Sequence, residues 1–369
     1  MAQIPSEQPK RYTGLPLSLP PSYYTDKEIY QLELERIFYR SWNFAGYASQ
    51  LRCSGDYVTC RVGEESIIVV RGHDGILRAF YNVCRHRGHW LLEDSGTVST
   101  ITCPYHAWSY ETNGELRYAR ESDRVRNFDK ARFCLNAVLV EEFCGFVFVN
   151  LDIGATSLTE QVPGLAEEFR RYEPRLDSLH LVHRQRVVIE SNWKNVVDNY
   201  NENYHTPKVH PILASTLDME DYTVHTHGKY FRHASSVNDE GLEGGFVVND
   251  NTYNRHDTWW LWPNLCPMCF PGGGFRVLHI MPDGPQRTVE HYDFYLPQEI
   301  PSEHQWTQIK YACEVINAED IGVCEGVQRG QRSRGFEQGH ILVDAEQRWW
   351  SEHAVLDFKN LVLQSLESE

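Results

Sequence analysis

At 369 residues the chain is longer than one ordinary domain and suits about two or three. With 41% apolar and 23% charged residues it reads as globular and not disordered, and a net charge of −16 argues against generic binding to nucleic-acid phosphates. No apolar run approaches the ~20 residues that span a bilayer, and Met1-Ala2-Gln3-Ile4-Pro5 does not open a secretory pattern, so neither a membrane nor export is expected and a cytoplasmic location follows.

A Pro-rich arm over 5–21 opens the chain. A helix is expected over 25–40, where Ile29, Leu32, Leu34 and Ile37 recur near helical spacing and Thr25 with Glu28 makes a capping-box pattern. Between 42 and about 151 the character changes. Short β-rich runs at 57–62, 66–70, 77–81 and 146–150 alternate with Gly, Asp and Asn turns, which predicts a small all-β domain. A helical pattern returns over 158–172 and ends in Arg170 and Arg171. Then 179–191 reads as strand, 192–205 as helix and 222–296 as β-rich. Helices over 302–317, 320–332 and 351–366 close the chain. Strands followed by helices, without βαβ alternation, indicate the α+β class. The expected division is an arm and helix over 1–41, a β domain over 42–152 and a larger α+β domain over 153–369.

The ten cysteines are scattered through a long chain, which argues against a disulfide framework and leaves core filler or metal ligand. Cys84-Arg85-His86 is followed, after sixteen residues, by Cys103-Pro104-Tyr105-His106. Two Cys-and-His pairs on tight loops can converge on one [2Fe–2S] cluster, with thiolates on one iron and imidazoles on the other, the Rieske arrangement. Gly88 and Pro104 stand where those loops need a tight backbone. A structural zinc is the alternative, but its fingers pair Cys with Cys and His with His, a different order. Cys266-x2-Cys269 has no partner pair and reads as core.

His205 and His210 lie five apart with Pro207 between them, a break that lets two imidazoles face one point. Glu319 and Asp320 open a downstream helix and offer a carboxylate. Two His and one carboxylate are the facial set of a non-haem Fe(II) oxygenase, which leaves positions open for O₂, and that chemistry accepts either acid.

Taken with Trp193, Asn199 and Glu202, these motifs resemble the α subunit of Rieske non-haem iron oxygenases over nearly the whole chain. The resemblance implies a Rieske domain beside a catalytic domain with an antiparallel sheet and covering helices. It implies that Cys84, His86, Cys103 and His106 hold the cluster, and that His205, His210 and Asp320 hold a mononuclear Fe(II). Asn199 matches an Asn beside that iron, with helix packing as its other role. Glu202 stands where the family has a bridging carboxylate, usually Asp, that passes an electron between neighbouring copies of a homotrimer. A partner flavin/iron–sulfur reductase is implied as well. Dioxygen needs two electrons beyond those of the substrate, and the chain has no Gly-x-Gly-x2-Gly fingerprint for NAD(P)H, which would act only through that reductase.

The likeness is nearest to the subgroup acting on carnitine, choline and betaines. It rests on Asn82-Val83-Cys84-x-His86-Arg87-Gly88-His89, on Asp198-Asn199-Tyr200-x-Glu202-x-Tyr204-His205, and on Val327-Gln328-Arg329-Gly330-x-x-Ser333-Arg334-Gly335. Hydroxylating a carbon next to a quaternary nitrogen gives an adduct that falls apart to an aldehyde and an amine. A pocket for such a cation wants aromatic faces. Tyr200, Trp259, Trp260 and Trp262 are the candidates, with strand core as the other role for the Trp; His225, His227 and His256 could line the same cavity or sit on the surface. Two other functions stay open: an oxygenase of aromatic rings or aryl ethers, and a non-catalytic Rieske electron carrier.

Overall fold

The structure is a computed structural model that describes residues 14–171, 176–237, 255–270 and 274–367; the first part of the Pro-rich arm, Tyr172 and parts of the 222–296 stretch lie outside them. The chain packs as two compact units, one of residues 38–166 and one of 1–37 with 167–369. Among the described residues no helix is long and apolar enough to cross a membrane.

The smaller unit is built on short antiparallel strands. One sheet runs Asn43–Tyr47, Phe146–Asn150, Ala137–Phe143, Leu77–Tyr81, Glu65–Arg71, Asp56–Val62 and Ser95–Thr97 in spatial order. Pairing of Val62 with Glu65 closes a two-residue hairpin, and Gly63 takes the left-handed backbone (φ +57°) that such a turn demands. A second sheet of three short strands, Ile101–Thr102, Ser109–Tyr110 and Leu116–Tyr118, stands apart. Ile68, Val70, Phe80, Ile101, Tyr110 and Leu116 form one core, and Cys84, Cys103 and Trp108 belong to it. Both cysteine loops are therefore anchored to the same buried cluster.

In the larger unit seven antiparallel strands follow the order His180–Ile189, Thr288–Leu296, Gly274–Pro282, Leu265–Phe270, Arg255–Leu261, Tyr230–Ser236 and Thr223–Thr226. The last six are a meander read backwards, and the first strand in the chain pairs with the last. Helices Trp193–Tyr200, Asn317–Gln331 and His353–Glu367 accompany the sheet. This is the α+β architecture expected, with local corrections. The N-cap of the first long helix is Asp26, whose carboxylate accepts from Glu28 N at 2.7 Å, and the helix is Lys27–Arg36. Thr25 instead ends the preceding turn, its hydroxyl donating to Pro21 O. The helix expected over 158–172 is two short pieces, Leu158–Gln161 and Leu165–Phe169. Pro163 and Gly164 (φ +91°) break it between them. The helix expected over 192–205 stops at Tyr200, well before Pro207, and Pro207 starts the next turn, Thr206–Val209. The helices expected over 302–317 and 320–332 form one path, Glu303–Tyr311 into Asn317–Gln331, joined by a π-helical turn at Ala312–Ile316. Such wide turns recur beside functional groups, and this one immediately precedes Asn317 and Asp320.

Candidate functional site

In the smaller unit two loops share one design. Cys84 N donates to His89 O and Cys103 N to Trp108 O, each at 2.8 Å. Four residues after each cysteine the chain turns left-handed, at Gly88 (φ +76°) and Ala107 (φ +55°), and the amide there donates back to the cysteine carbonyl. Glycine takes that conformation freely, whereas alanine holds it only because the loop enforces it. Both thiols are buried, while His86 is exposed and His106 half-buried. The imidazole centroids are 4.7 Å apart, and His86 stacks on Trp108 at 4.7 Å. Tyr110 Oη lies 3.3 Å from Cys84 Sγ and accepts from Arg85 N. Burial pushes the Cys103 thiol up, and the neighbouring Cys84 adds to the shift. Two thiols inside and two imidazoles outside suit a cluster with one iron on each pair.

Among the described residues, one group of three metal-ligand types gathers around a single point: His205, His210 and Asp320, with donor atoms within 4.8 Å of one another. The Cys84, His86, Cys103 and His106 set does not gather so, as a lone zinc would need. His205 and His210 come from the turns after helix Trp193–Tyr200, and Asp320 from the first turn of Asn317–Gln331. Each imidazole meets a carboxylate at both nitrogens. His205 Nδ1 bonds Glu202 Oε1, and its backbone N–H donates to Glu202 Oε2 at 3.1 Å. His210 Nδ1 lies 2.7 Å from Glu319 Oε2. The two Nε2 atoms both face Asp320 Oδ1, at 3.5 Å from His205 and 2.8 Å from His210.

A neutral imidazole carries one N–H. If Nδ1 donates to Glu202 and to Glu319, then two Nε2 lone pairs converge on a carboxylate oxygen, and a cation between them relieves the repulsion. The residues thus fit a divalent metal. Glu319, the rival third acid, sits on the far nitrogen of His210, where it orients the ring. Burial disfavours a charged His210, but its bonds to Asp320 and Glu319 outweigh that, and the net shift is upward.

The helix carrying this site is held from behind. Asn192 caps it by accepting from Lys194 N at 2.9 Å. Trp193 Nε1 and Lys194 Nζ both donate to Glu33, at 2.8 and 2.5 Å, and Lys194 and Glu33 are fully buried. Asp198, one turn on, accepts from Tyr24 Oη at 3.2 Å, and burial pushes its carboxyl up to about 7.

A cavity of about 130 Å³ adjoins the triad, lined by Asn199, Tyr200, Glu202, His205, His210 and Asp320 among others. That is below the ~300–1,000 Å³ of cavities for drug-sized ligands. Its far wall is the sheet. Tyr222, Tyr292, Arg276, Glu290 and His256 all face it, and none of these except His256 stood out in the sequence. The signal available was the alternation along Gly274–Pro282 and Thr288–Leu296, where every second residue shares a face. Burial pushes Glu290 up to about 7 and His256 down to about 4.

The Trp candidates are corrected: Tyr200 lines the cavity, but Trp259, Trp260 and Trp262 do not. Trp260 and Trp262 pack on Phe358 of helix His353–Glu367, with centroids at 5.3 and 6.3 Å. Trp259 lies on the opposite face of its strand, against Phe169, with Nε1 donating to Glu168 at 2.6 Å. His225 and His227 are not in the lining either.

Comparison with known proteins agrees in both units. Residues 41–129 match the Rieske [2Fe-2S] domain, and residues 176–367 match the ring hydroxylating alpha subunit (catalytic domain). The chain is 37% identical over 353 residues to the carnitine monooxygenase oxygenase subunit of Escherichia coli (strain K12), covering 94% of this chain and 93% of that protein. It is 30% identical to the chloroplastic choline monooxygenase of Spinacia oleracea over 89% of this chain and 74% of that one. The crystal structure of a quaternary ammonium Rieske monooxygenase in complex with L-carnitine superposes with a TM-score of 0.87, at 35% identity over 96% of each chain.

Proposed function

The chain belongs to the Rieske ring-hydroxylating oxygenase α subunits, and from that premise we propose that it is the oxygenase component of a monooxygenase that oxidises a quaternary ammonium compound. The family carries a Rieske [2Fe–2S] cluster and a mononuclear iron, which when bound supply one-electron storage and a site for O₂ activation. We assign Cys84, His86, Cys103 and His106 to the first and His205, His210 and Asp320 to the second. Glu319 and Glu202 orient the two imidazoles through Nδ1, and Asn199 lines the space beside them.

One observation carries the substrate reading. The cavity beside the triad has aromatic walls, Tyr200, Tyr222 and Tyr292, and a buried acid, Glu290. Ring faces and a carboxylate are what a trimethylammonium group needs on leaving water, since it has no N–H to donate. An aromatic hydrocarbon would offer Glu290 no countercharge. With R–CH₂–N⁺ held in the cavity beside His205, His210 and Asp320, which would hold the iron, O₂, two electrons and two protons would give R–CH(OH)–N⁺ and water. The carbinol then loses the amine as its carbon becomes an aldehyde. The carnitine and choline monooxygenases among its relatives are the same chemical class.

Electrons come from a separate NAD(P)H-dependent reductase, as the relatives' designation as an oxygenase subunit supports. Glu202, whose carboxylate is bonded to His205, is the proposed bridge to a Rieske His of a neighbouring copy in a homotrimer, and a related structure reveals insights into inter-subunit electron transfer. A cytoplasmic setting suits NAD(P)H chemistry.

The test is coupled turnover with a generic reductase and NADH. Carnitine, γ-butyrobetaine or choline is expected to drive NADH oxidation with stoichiometric release of trimethylamine or a demethylated amine. Coupling by benzoates alone would overturn the substrate class. An iron content of two per chain, with none at His205, His210 and Asp320, would leave only an electron carrier.

A further inference from the structure

Trp108 has neighbours besides His86. The stretch 120–133, which follows the cysteine loops, folds back over it. Phe128 and Phe133 stack on each other with centroids at 4.8 Å, and both meet the Trp108 ring edge-on, at 5.7 and 5.5 Å. Two ring contacts, of 5.5 and 4.7 Å, therefore lead from Phe133 through Trp108 to His86. Phe128 and Phe133 are half-buried, so the outer edge of this stack reaches the surface. What surrounds it there is basic. Arg120, Arg126 and Arg132 are exposed, and among the described residues their side chains make no ion pair or hydrogen bond. The acids of the stretch are engaged locally, apart from Asp123: Glu121 pairs with Arg124 at 3.1 Å, and Asp129 caps Lys130–Phe133 by accepting from Ala131 N at 3.1 Å. Val125 and Tyr118 add apolar surface, 57% and 50% exposed, and Lys130 Nζ ties the two segments together by donating to Arg117 O at 3.2 Å. In a chain of net charge −16, an apolar centre flanked by unpaired arginines is a local reversal of sign.

We propose that the face formed by 117–133 docks the electron-donating domain of the partner reductase, an iron–sulfur domain with an acidic surface. This rests on the separate reductase of the reading above and adds where it binds. The exposed imidazole edge of His86 and His106 is assigned there to the neighbouring copy, so a donor needs a second approach to the cluster. The Trp108 stack provides one, and electrons can enter and leave without one partner displacing the other. One electron passes from the donor's reduced [2Fe–2S] cluster to a ferric iron of the Rieske cluster; the first is oxidised, the second reduced, and no bond is made or broken. A plant-type donor near −400 mV lies below the Rieske range, so the transfer runs downhill. Electron-transfer encounters are small and short-lived. Exposed arginines suit them, because complementary charge speeds the encounter more than it tightens the complex.

The experiment uses the full chain with iron and cluster loaded, and a plant-type [2Fe–2S] ferredoxin of net negative charge as the probe. Binding of oxidised ferredoxin is followed by surface plasmon resonance, and reduction of the Rieske cluster by reduced ferredoxin in a stopped-flow spectrometer. Photoreduced 5-deazariboflavin serves as a small uncharged donor. Arg126→Glu combined with Arg132→Glu is expected to weaken binding and slow reduction by ferredoxin at least tenfold at low ionic strength, while reduction by deazariboflavin keeps its rate. Salt at about 0.5 M screens exposed charges and is expected to close that gap. Arg170→Glu combined with Arg171→Glu makes the same charge change on exposed residues of the larger unit and is expected to slow neither donor. If both pairs of changes slow ferredoxin equally, or neither does, the docking face is overturned while an externally reduced oxygenase stands. The same holds if ferredoxin fails to reduce an unaltered chain that deazariboflavin reduces. Dissociation of the oligomer by the Arg126 and Arg132 changes, read by sedimentation, would give the face to a second copy and overturn the proposal. If neither donor reduces the cluster, the reading beneath it falls as well. Arg126→Gln combined with Arg132→Gln, expected to show part of the loss, decides the matter if the Glu pair does not fold.

Discussion

His205 and His210 each spend one nitrogen on a glutamate and aim the other at Asp320. This division of labour makes the two glutamates distinguishable from the aspartate by experiment. Glu202→Gln keeps the size of the side chain but removes the charge that holds His205 Nδ1–H. It is expected to retain iron and the visible spectrum of the cluster while slowing turnover by 10- to 100-fold, the usual loss when an outer partner of a metal ligand is removed. Unchanged turnover would remove the bridging role. Asp320→Ala, by contrast, is expected to lose the mononuclear iron, read as a fall from three irons per chain to two. At the other centre Tyr110 Oη lies on Cys84 Sγ. A hydrogen bond to a cluster sulfur stabilises the reduced, more negative state. Tyr110→Phe is therefore expected to lower the midpoint potential by on the order of 60 mV, equivalent to ~1.4 kcal/mol for one electron; an unshifted redox titration would show that the hydroxyl does not donate to the sulfur.

At the scale of elements, helix Trp193–Tyr200 is positioned by a buried charge pair with helix Lys27–Arg36, Glu33 taking both Lys194 and the Trp193 indole. Removing the acid strands a buried ammonium, so Glu33→Ala is expected to cost ~3–5 kcal/mol in denaturant unfolding. Asp198 on the same helix behaves oppositely. Burial raises its pKa from 3.8 to about 7 in the fold, so the native state favours the protonated acid. That contribution is complete below pH ~4 and is lost as pH rises through about 7. Asp198→Asn, which stays neutral, is expected to match the unaltered protein near pH 4 and to exceed it by a few kcal/mol at pH 8; parallel stability curves across that range would contradict the assignment. This network was invisible in the sequence, because Glu33 and Lys194 are 161 residues apart and each alone looks like an ordinary surface charge. Helix 192–205 was legible in kind, and Asn192 caps it. Its early end at Tyr200 was not: the backbone leaves the helix at Asn201 (φ −89°, ψ 9°), a buried residue with no breaker beside it, whereas Pro207 is the louder local signal.

Across the whole molecule, what could be read in advance was what lies close in sequence. Cys84 with His86, Cys103 with His106 and His205 with His210 announce themselves because each pair sits on one loop or turn. The cavity wall did not, because it is assembled from five strands, and alternation along a strand says that residues share a face without saying which face looks inward. Arg276, Glu290 and Tyr292 emerged only once the register of Gly274–Pro282 with Thr288–Leu296 was known. The Trp-rich strand misled for a related reason: Trp260 shares a face with His256 and Thr258, but lies under helix His353–Glu367, where Phe358 fills the space a substrate would need. The central claim is that the two centres act together on one substrate. Single turnover tests it most directly: the chain is reduced without a reductase, then mixed with O₂ and γ-butyrobetaine while cluster colour and trimethylamine are followed together. The expected result is substrate-dependent reoxidation of the cluster with about one product per chain, abolished when a chelator has removed the iron at His205, His210 and Asp320. Cluster reoxidation with product that persists without that iron, or no product when both centres are loaded, would contradict it.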